Sequence, residues 1–304
     1  TPGTTVEDAR LYTDPARREL DMVFQFEHVS LDQGASKWDL RPLRLTDLKA
    51  SLGRWQAGLA DVGWNSLYWS NHDQPRAVSR FGHDGVYRVR SAKALATVLH
   101  LHRGTPYVYQ GEELGMANAA FRSIEAFRDI EARNHYAMAT AAGQAPEDVL
   151  AALRAMGRDN ARTPMPWDAS GNAGFTTGEP WIDVDADYRT VNVAAATTDP
   201  DSVYHHYRAL IALRRTEPAV VHGDFTMLVP DDERIYAFNR RWEAVELLVL
   251  ANLSGDVVDS PIEARSSWIS ADLILTNERT RAGVAADAGL DPWEARLYRR
   301  IAND

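Results

Sequence analysis

The spacing of apolar residues changes period along this chain, and the changes outline its elements. Leu45 to Ala60 keeps helical spacing, with Leu48, Leu52, Trp55 and Leu59 on one side, and Ser91 to Arg103 is a second helix rich in Ala and Leu. Around them lie three short apolar runs that read as strands: Leu20 to Glu27, Asn65 to Trp69 and Pro106 to Gln110. Each opens into a polar stretch, respectively Gln25 with Glu27 and His28, Ser70-Asn71-His72-Asp73-Gln74-Pro75-Arg76, and Gly111-Glu112-Glu113. Strand, polar loop and helix in repeated order predict parallel βα packing with functional loops at the carboxyl ends of the strands.

Residues 1–5 read as a loop, with Thr4 or Thr5 placed to cap a short helix to about Tyr12. Ile124 to Ala139, Pro146 to Met156 and Ser202 to Arg215 are further helices, the last with Asp201 as a cap candidate. Between Gly157 and Asp199 little periodicity survives. After Pro218 the runs shorten to strand size: Phe225-Leu228, Ile235-Phe238, Leu247-Ala251, Ala271-Leu275 and Glu294-Tyr298. A boundary near 217 therefore separates an α/β part, residues 1–217, from a small all-β part, residues 218–304.

Composition narrows the function classes. With 33 Lys and Arg against 43 Asp and Glu, the formal charge is -10, and without a basic stripe nucleic acid is excluded as a partner. No apolar run is long enough to span a membrane. Cysteine is absent, so there is no thiolate nucleophile and no disulfide, which fits a reducing, cytoplasmic compartment. Nine Trp and eleven Tyr supply flat amphipathic rings suited to sugar faces, though such rings also fill cores. No phosphate loop, dinucleotide fingerprint, nucleophile elbow or zinc-protease motif is found.

The densest polar constellation is Asn71, His72, Asp73 and Arg76. Imidazole beside carboxylate can bind adjacent sugar hydroxyls; the alternative is a loop whose side chains cap backbone groups. Arg158, Asp159 and Arg162 form another charged loop, equally readable as a buried ion pair. Glu112-Glu113 reads as well as a helix start with two acids near the dipole. Adjacent His205 and His206 point in different directions and suit surface or packing roles, and Asp231-Asp232-Glu233 reads as a solvated turn.

Four segments in order, residues 22–28, 63–76, 104–115 and 157–165, resemble the α-amylase superfamily of glycoside hydrolases (glycoside hydrolase family 13), nearest its oligo-1,6-glucosidase and α-glucosidase branch. The resemblance implies α/β plus all-β architecture: the carboxy-terminal part of a TIM (β/α)8 barrel, strands six to eight, followed by a small antiparallel β-sandwich. It makes Asp73 the carboxylate that stabilises the transition state and His72 a contact to the same glucose. Arg158 closes the pocket around the terminal sugar, and Lys37, Glu27 and Glu131 are acceptor-side contacts. Asn71 and Arg76 support the loop.

Retaining hydrolysis needs a nucleophile and an acid/base carboxylate about 5 to 5.5 Å apart. Family order places both ahead of this sequence. The resemblance thus implies a retaining α-glucosidase acting on terminal α-1,6 or α-1,4 bonds of short oligosaccharides, with this chain alone inactive. Its partner would be the missing amino-terminal half of the same enzyme. No cofactor is expected in this chain, and a structural Ca²⁺ or Mg²⁺ would belong to the absent part of the barrel. Two alternatives stay open: a relative that hydrolyses or isomerises sucrose or trehalose, and a non-catalytic carbohydrate-binding or scaffold module.

Overall fold

The computed structural model describes residues 2–302. Of the opening loop, Thr1 lies outside the described residues; Thr5 caps helix α1 (Val6–Thr13), its hydroxyl accepting from the Asp8 amide while the Asp8 carboxylate accepts from the Thr5 amide. The parallel part contains strands β1 (Val23–Phe24), β2 (Asn65–Leu67) and β3 (Thr105–Pro106), in spatial order β1-β2-β3. Helices α2 (Leu45–Gly58), α3 (Ala77–Phe81) and α4 (Arg88–His100) connect them.

The paired strands are shorter than the apolar runs, for local reasons. The Gln25 side chain accepts from the Glu27 amide (2.8 Å), bending the chain out of β1 two residues after pairing ends. In the third unit Pro106 offers no N–H, and the last strand-like bond is from the Tyr107 amide to Leu67 O (2.7 Å). Gly104 (φ 139°) lets this segment close on its neighbour, because a Cβ there would stand 2.5 Å from Asn65 O.

Helices α5 (Ile130–Ala141) and α6 (Pro146–Met156) pack on each other through Ala132, Ala139, Val149 and Leu153, around Phe127. The aperiodic segment that follows is a series of single 3-10 turns ending in α7 (Val193–Thr198). Helix α8 (Val203–Thr216) is capped by Ser202, whose hydroxyl accepts from the His205 amide, rather than by Asp201. Short α9 (Pro218–His222) leads into the all-β part.

That part is one antiparallel sheet of β4 (Asp224–Leu228), β5 (Ile235–Trp242), β6 (Val245–Asn252), β7 (Asp272–Thr276) and β8 (Ala295–Ile301), ordered β4-β5-β6-β8-β7. Among the described residues, one layer of the sandwich that the resemblance implies is this five-stranded sheet, and connecting segments form the layer opposite. The sheet's outer face (Ile235, Ala237, Leu248, Leu250, Tyr298) is covered by Trp268, Val258, Ala286 and Leu290 from connecting segments, where Val258 and Leu290 form only an isolated bridge.

The inner face, with Tyr236, Phe238, Leu247, Val249 and Leu297, joins α2, α4 and α8 in one continuous core. Helix α4 is buried from Ser91 to His100, and its small Ala residues permit close approach on both sides. Polar bonds fix this seam. Buried Arg240 donates to Leu101 O (2.8 Å) and Gly223 O (2.6 Å), and Lys49 of α2 donates to Val229 O (2.7 Å) and Ile235 O (3.0 Å). The turn at Asp231-Asp232-Glu233 therefore docks rather than merely solvates: Glu233 accepts from Arg44 (2.8 Å) and from the Thr46 hydroxyl (2.7 Å). His206 is buried and paired with the Thr97 hydroxyl (2.8 Å).

Candidate active site

Everything in the candidate site follows from how β2 ends. Tyr68 and Trp69 are buried and held by side-chain bonds to Gln25 O and Leu95 O (2.8 Å each), so the chain leaves the sheet in a fixed direction. His28 braces the same point, bonding Tyr68 O (2.9 Å) and Gln25 (2.7 Å); burial pushes its imidazole down to about 3, so it stays neutral. The loop then turns on Asn71, whose side-chain oxygen accepts from the Asp73 amide (2.8 Å).

This turn presents Asp73 to solvent on one side and to two arginines on the other. Arg162 donates to Asp73 Oδ1 at 2.8 Å and also to His72 O at 3.0 Å; Arg158 reaches the same carboxylate oxygen at 3.5 Å. His72 Nε2 stands 3.2 Å from Asp73 Oδ2. Arg158 is itself gripped by Asp129 at 2.7 and 2.6 Å, a two-pronged pair that raises its already high pKa, and contacts Glu131 at 3.2 Å. Burial pushes the Asp129 carboxyl up, but the Arg158 bond, the Glu131 amide and nearby Arg162 outweigh it and hold it below the usual range. Lys37 pairs with Glu131 and lies 4.4 Å above the Trp38 ring, which stacks on His135.

The structure thus brings together Asp73, His72, Arg158, Lys37 and Glu131 among the residues singled out in the sequence. Arg76 is buried beneath them, donating to Asn160 O (2.9 Å), Gln110 O (2.6 Å) and Thr163 (3.2 Å), and Asn71 is a turn residue. Glu27 stands apart from this network. It accepts from Trp55 Nε1 (2.8 Å), pairs with Arg54, and lines a separate cavity of about 930 Å³ beside residues 2–7.

Asp129 and Arg162 carry more of the network than sequence reasoning assigned them. Asp129 also caps α5, accepting from the Glu131 amide, and an acidic residue just ahead of a helix was the available signal. Fully buried Asp159 fixes that turn, one carboxylate oxygen accepting from the amides of Arg128 (2.7 Å) and Asp129 (2.9 Å). Among the described residues no group of three or more His, Cys, Asp or Glu is placed to hold a metal ion. Nor, among the described residues, is any helix long and apolar enough to cross a membrane.

A model of the α-amylase catalytic domain matches residues 1–223. The chain belongs to the α-amylase family. An oligo-1,6-glucosidase of Halalkalibacterium halodurans is 51% identical over 98% of this chain and 53% of its own length; a trehalose-6-phosphate hydrolase of Bacillus subtilis is 45% identical over 98% and 54%. Among solved structures, trehalose-6-phosphate hydrolase of Bacillus licheniformis superposes with a TM-score of 0.94 at 39% identity, over 99% of this chain and 55% of that one. Isomaltulose synthase from Klebsiella sp. LX3 gives 0.92 at 34% identity, over 98% and 54%.

These findings correct the expectation that this α-amylase family chain is only a carboxy-terminal portion, strands six to eight of a barrel, partnered by a missing amino-terminal half. The catalytic-domain match takes in residues 1–223 as one run, and the relatives align over nearly the whole chain. The chain spans about half the length of the curated relatives it matches.

Proposed function

We propose that the Asp73 face serves a retaining α-glucosidase that hydrolyses terminal α-1,6 or α-1,4 bonds of short oligosaccharides. The observation that carries this reading is a half-exposed carboxylate set between an imidazole and two guanidinium groups at the carboxyl end of a parallel strand. Such a carboxylate accepts from adjacent ring hydroxyls and favours positive charge developing at the anomeric carbon. His72 contacts the same sugar, Arg158 bounds the pocket at its closed end, and Lys37 with Glu131 lines the acceptor side. Residues 1–217 act as the catalytic module and 218–304 as the β-module, in a cytoplasmic protein.

Asp73 is engaged by Arg162, Asp129 by Arg158 and Glu131 by Lys37, so no carboxylate of the cluster is poised as nucleophile or proton donor. The covalent glucosyl intermediate and the proton to the leaving oxygen are then the work of carboxylates outside this cluster.

Pairing also bears on substrate. Each of the three cations in the cluster already faces a carboxylate, which suits a neutral sugar better than a phosphorylated one. The second reading, a relative acting on sucrose or trehalose, is supported by the similarity to trehalose-6-phosphate hydrolases and an isomaltulose synthase. Comparing kcat/KM for isomaltose, maltose, sucrose, trehalose and trehalose 6-phosphate in the full-length protein tests both. Isomaltose is expected to lead. Preference for the phosphorylated sugar would sink the neutral-sugar reading, and binding without turnover of any substrate would make the protein a carbohydrate-binding module.

A further inference from the structure

The chemistry described above makes no use of Glu112, a buried acid whose side chain reaches the loop that carries the site. It is buried in the turn after β3, where Gly111 and Gly115 (φ 92° and 65°) flank it. One carboxyl oxygen accepts both the Ser70 amide (3.1 Å) and the Ser70 hydroxyl. Ser70 is the last buried residue before Asn71, His72 and Asp73. The other oxygen is aimed into a cavity of about 10 Å³ lined by Trp69, Leu95, Met116 and Tyr207, where the Tyr207 phenol is the polar group that bears on it.

We propose that Glu112 is a positioning residue for the reaction: by accepting from the Ser70 amide and hydroxyl, its carboxyl ties the turn after β3 to the end of β2 and so sets where the His72 and Asp73 side chains stand. The inference rests on the glucosidase reading for its kinetic consequence, while the tie itself is geometric. A neutral carboxyl suits this place because an anion would leave one oxygen charged against Trp69, Leu95 and Met116.

The groups facing Glu112 agree. Tyr207 of α8 is the titratable neighbour across the cavity, and burial holds its phenol well above the ordinary value. Arg76, itself spent on three acceptors, is the cation that bears on Glu112, and Glu113 is the like charge on its own turn. The α4 residues on the cavity, Ala92 and Leu95, bring no charge. Burial, opposed by the Ser70 bonds and reinforced by Glu113, pushes the Glu112 carboxyl up to about 8. Because an opened loop would return Glu112 to the ordinary carboxylate range, the tie weakens as pH rises from that range toward about 8 and is weakest above it.

The test compares wild type, Glu112→Gln and Glu112→Ala in the full-length protein from about pH 6 to pH 9. Gln keeps an acceptor for Ser70 and cannot ionise. Its kcat near neutrality is expected within about twofold of wild type, while Ala loses about tenfold in kcat with little change in KM. The alkaline fall in wild-type kcat should shrink by about fivefold in Glu112→Gln.

Hydrogen exchange at the Ser70 amide supplies a readout free of activity: at about pH 9, wild type should exchange about fivefold faster than Glu112→Gln. An unchanged alkaline limb together with equal exchange rates overturns the proposal, as does a Gln variant as impaired as Ala. If wild type hydrolyses no glucoside, the glucosidase reading fails on that result, and the exchange comparison alone decides the role of Glu112.

Discussion

Two ion-pair systems in this molecule use the same residue types to opposite ends. In the β-module, Arg296 and Glu294 are both fully buried, and nearly every donor and acceptor is satisfied: guanidinium to carboxylate at 2.6 and 2.8 Å, guanidinium to Ala288 O and Gly289 O, carboxylate to the Asp291 amide. Around Asp73 the side chains of Asp73, Arg158, Arg162 and Glu131 remain 26 to 45% exposed over a buried Asp129, and Arg158 divides its contacts among Asp129, Glu131 and Asp73. The closed pair has nothing left to offer a ligand. The open cluster keeps lone pairs and N–H groups turned toward water, which sugar hydroxyls can replace one for one.

The sharpest way to break this contrast is to remove one partner from each. Glu294→Ala strands a buried guanidinium and should cost about 3–5 kcal/mol of stability, read as a lower urea midpoint, with carbohydrate binding unchanged in whatever fraction folds. Asp73→Asn should leave the urea midpoint nearly unmoved and lower kcat by about 10² to 10³, since the lost charge acts on the transition state. A stability loss from Asp73→Asn equal to that from Glu294→Ala would mean that the open cluster is structural after all.

The same contrast explains what could be read from sequence. The strand runs of the β-module, the helix spacing of α2 and the polar loop after β2 are local patterns, and they marked the elements and the loop on which Asp73 lies. What escaped were pairings across distance: Asp129 lies 29 residues from Arg158, and Glu112 lies 42 residues from Ser70. A helix-capping Asp and a helix-start Glu look the same in sequence whether or not something else closes over them. Glu27 shows the converse. It follows a strand as the site residues do, but Trp55 and Arg54 draw it toward α2. The single sheet was hidden because its second layer consists of turns with apolar residues, not of strands.

The seam between the two regions should respond to acid before either ion-pair system does. His100, His102 and His206 are buried there, and burial pushes their imidazoles down to about 4, about 3 and about 3. The folded chain keeps them neutral while the unfolded chain protonates them below about pH 6.5, so stability falls as pH drops from there toward their folded values. Asp129, held low by Arg158, adds its loss only at still lower pH, as its carboxylate protonates. Glu112 acts oppositely, binding its proton in the fold, so its contribution grows as pH falls from about 8 toward the usual carboxylate range. The urea midpoint should therefore decline by a measurable step between about pH 6.5 and pH 4.5, and His206→Asn should flatten part of it. A midpoint constant over that interval would contradict neutral burial at the seam.

The smallest expected effect lies at the outer edge of the open cluster. Lys37 and Glu131 form a pair with side chains 23 and 40% exposed, and Glu131 also has Arg158 at 3.2 Å. Removing Lys37 leaves Glu131 with a cation, so no charge is stranded, in contrast to Glu294→Ala. Lys37→Ala should therefore raise KM for a disaccharide about two- to fivefold with kcat unchanged, the signature of uniform binding. A double-mutant cycle with Glu131→Ala should give a coupling of about 0.5–1 kcal/mol that fades as salt is raised. If the coupling instead persists at high salt, Lys37 and Glu131 behave as the closed pair does, and the boundary between the rigid and the exchangeable charges must be drawn further out from Asp73.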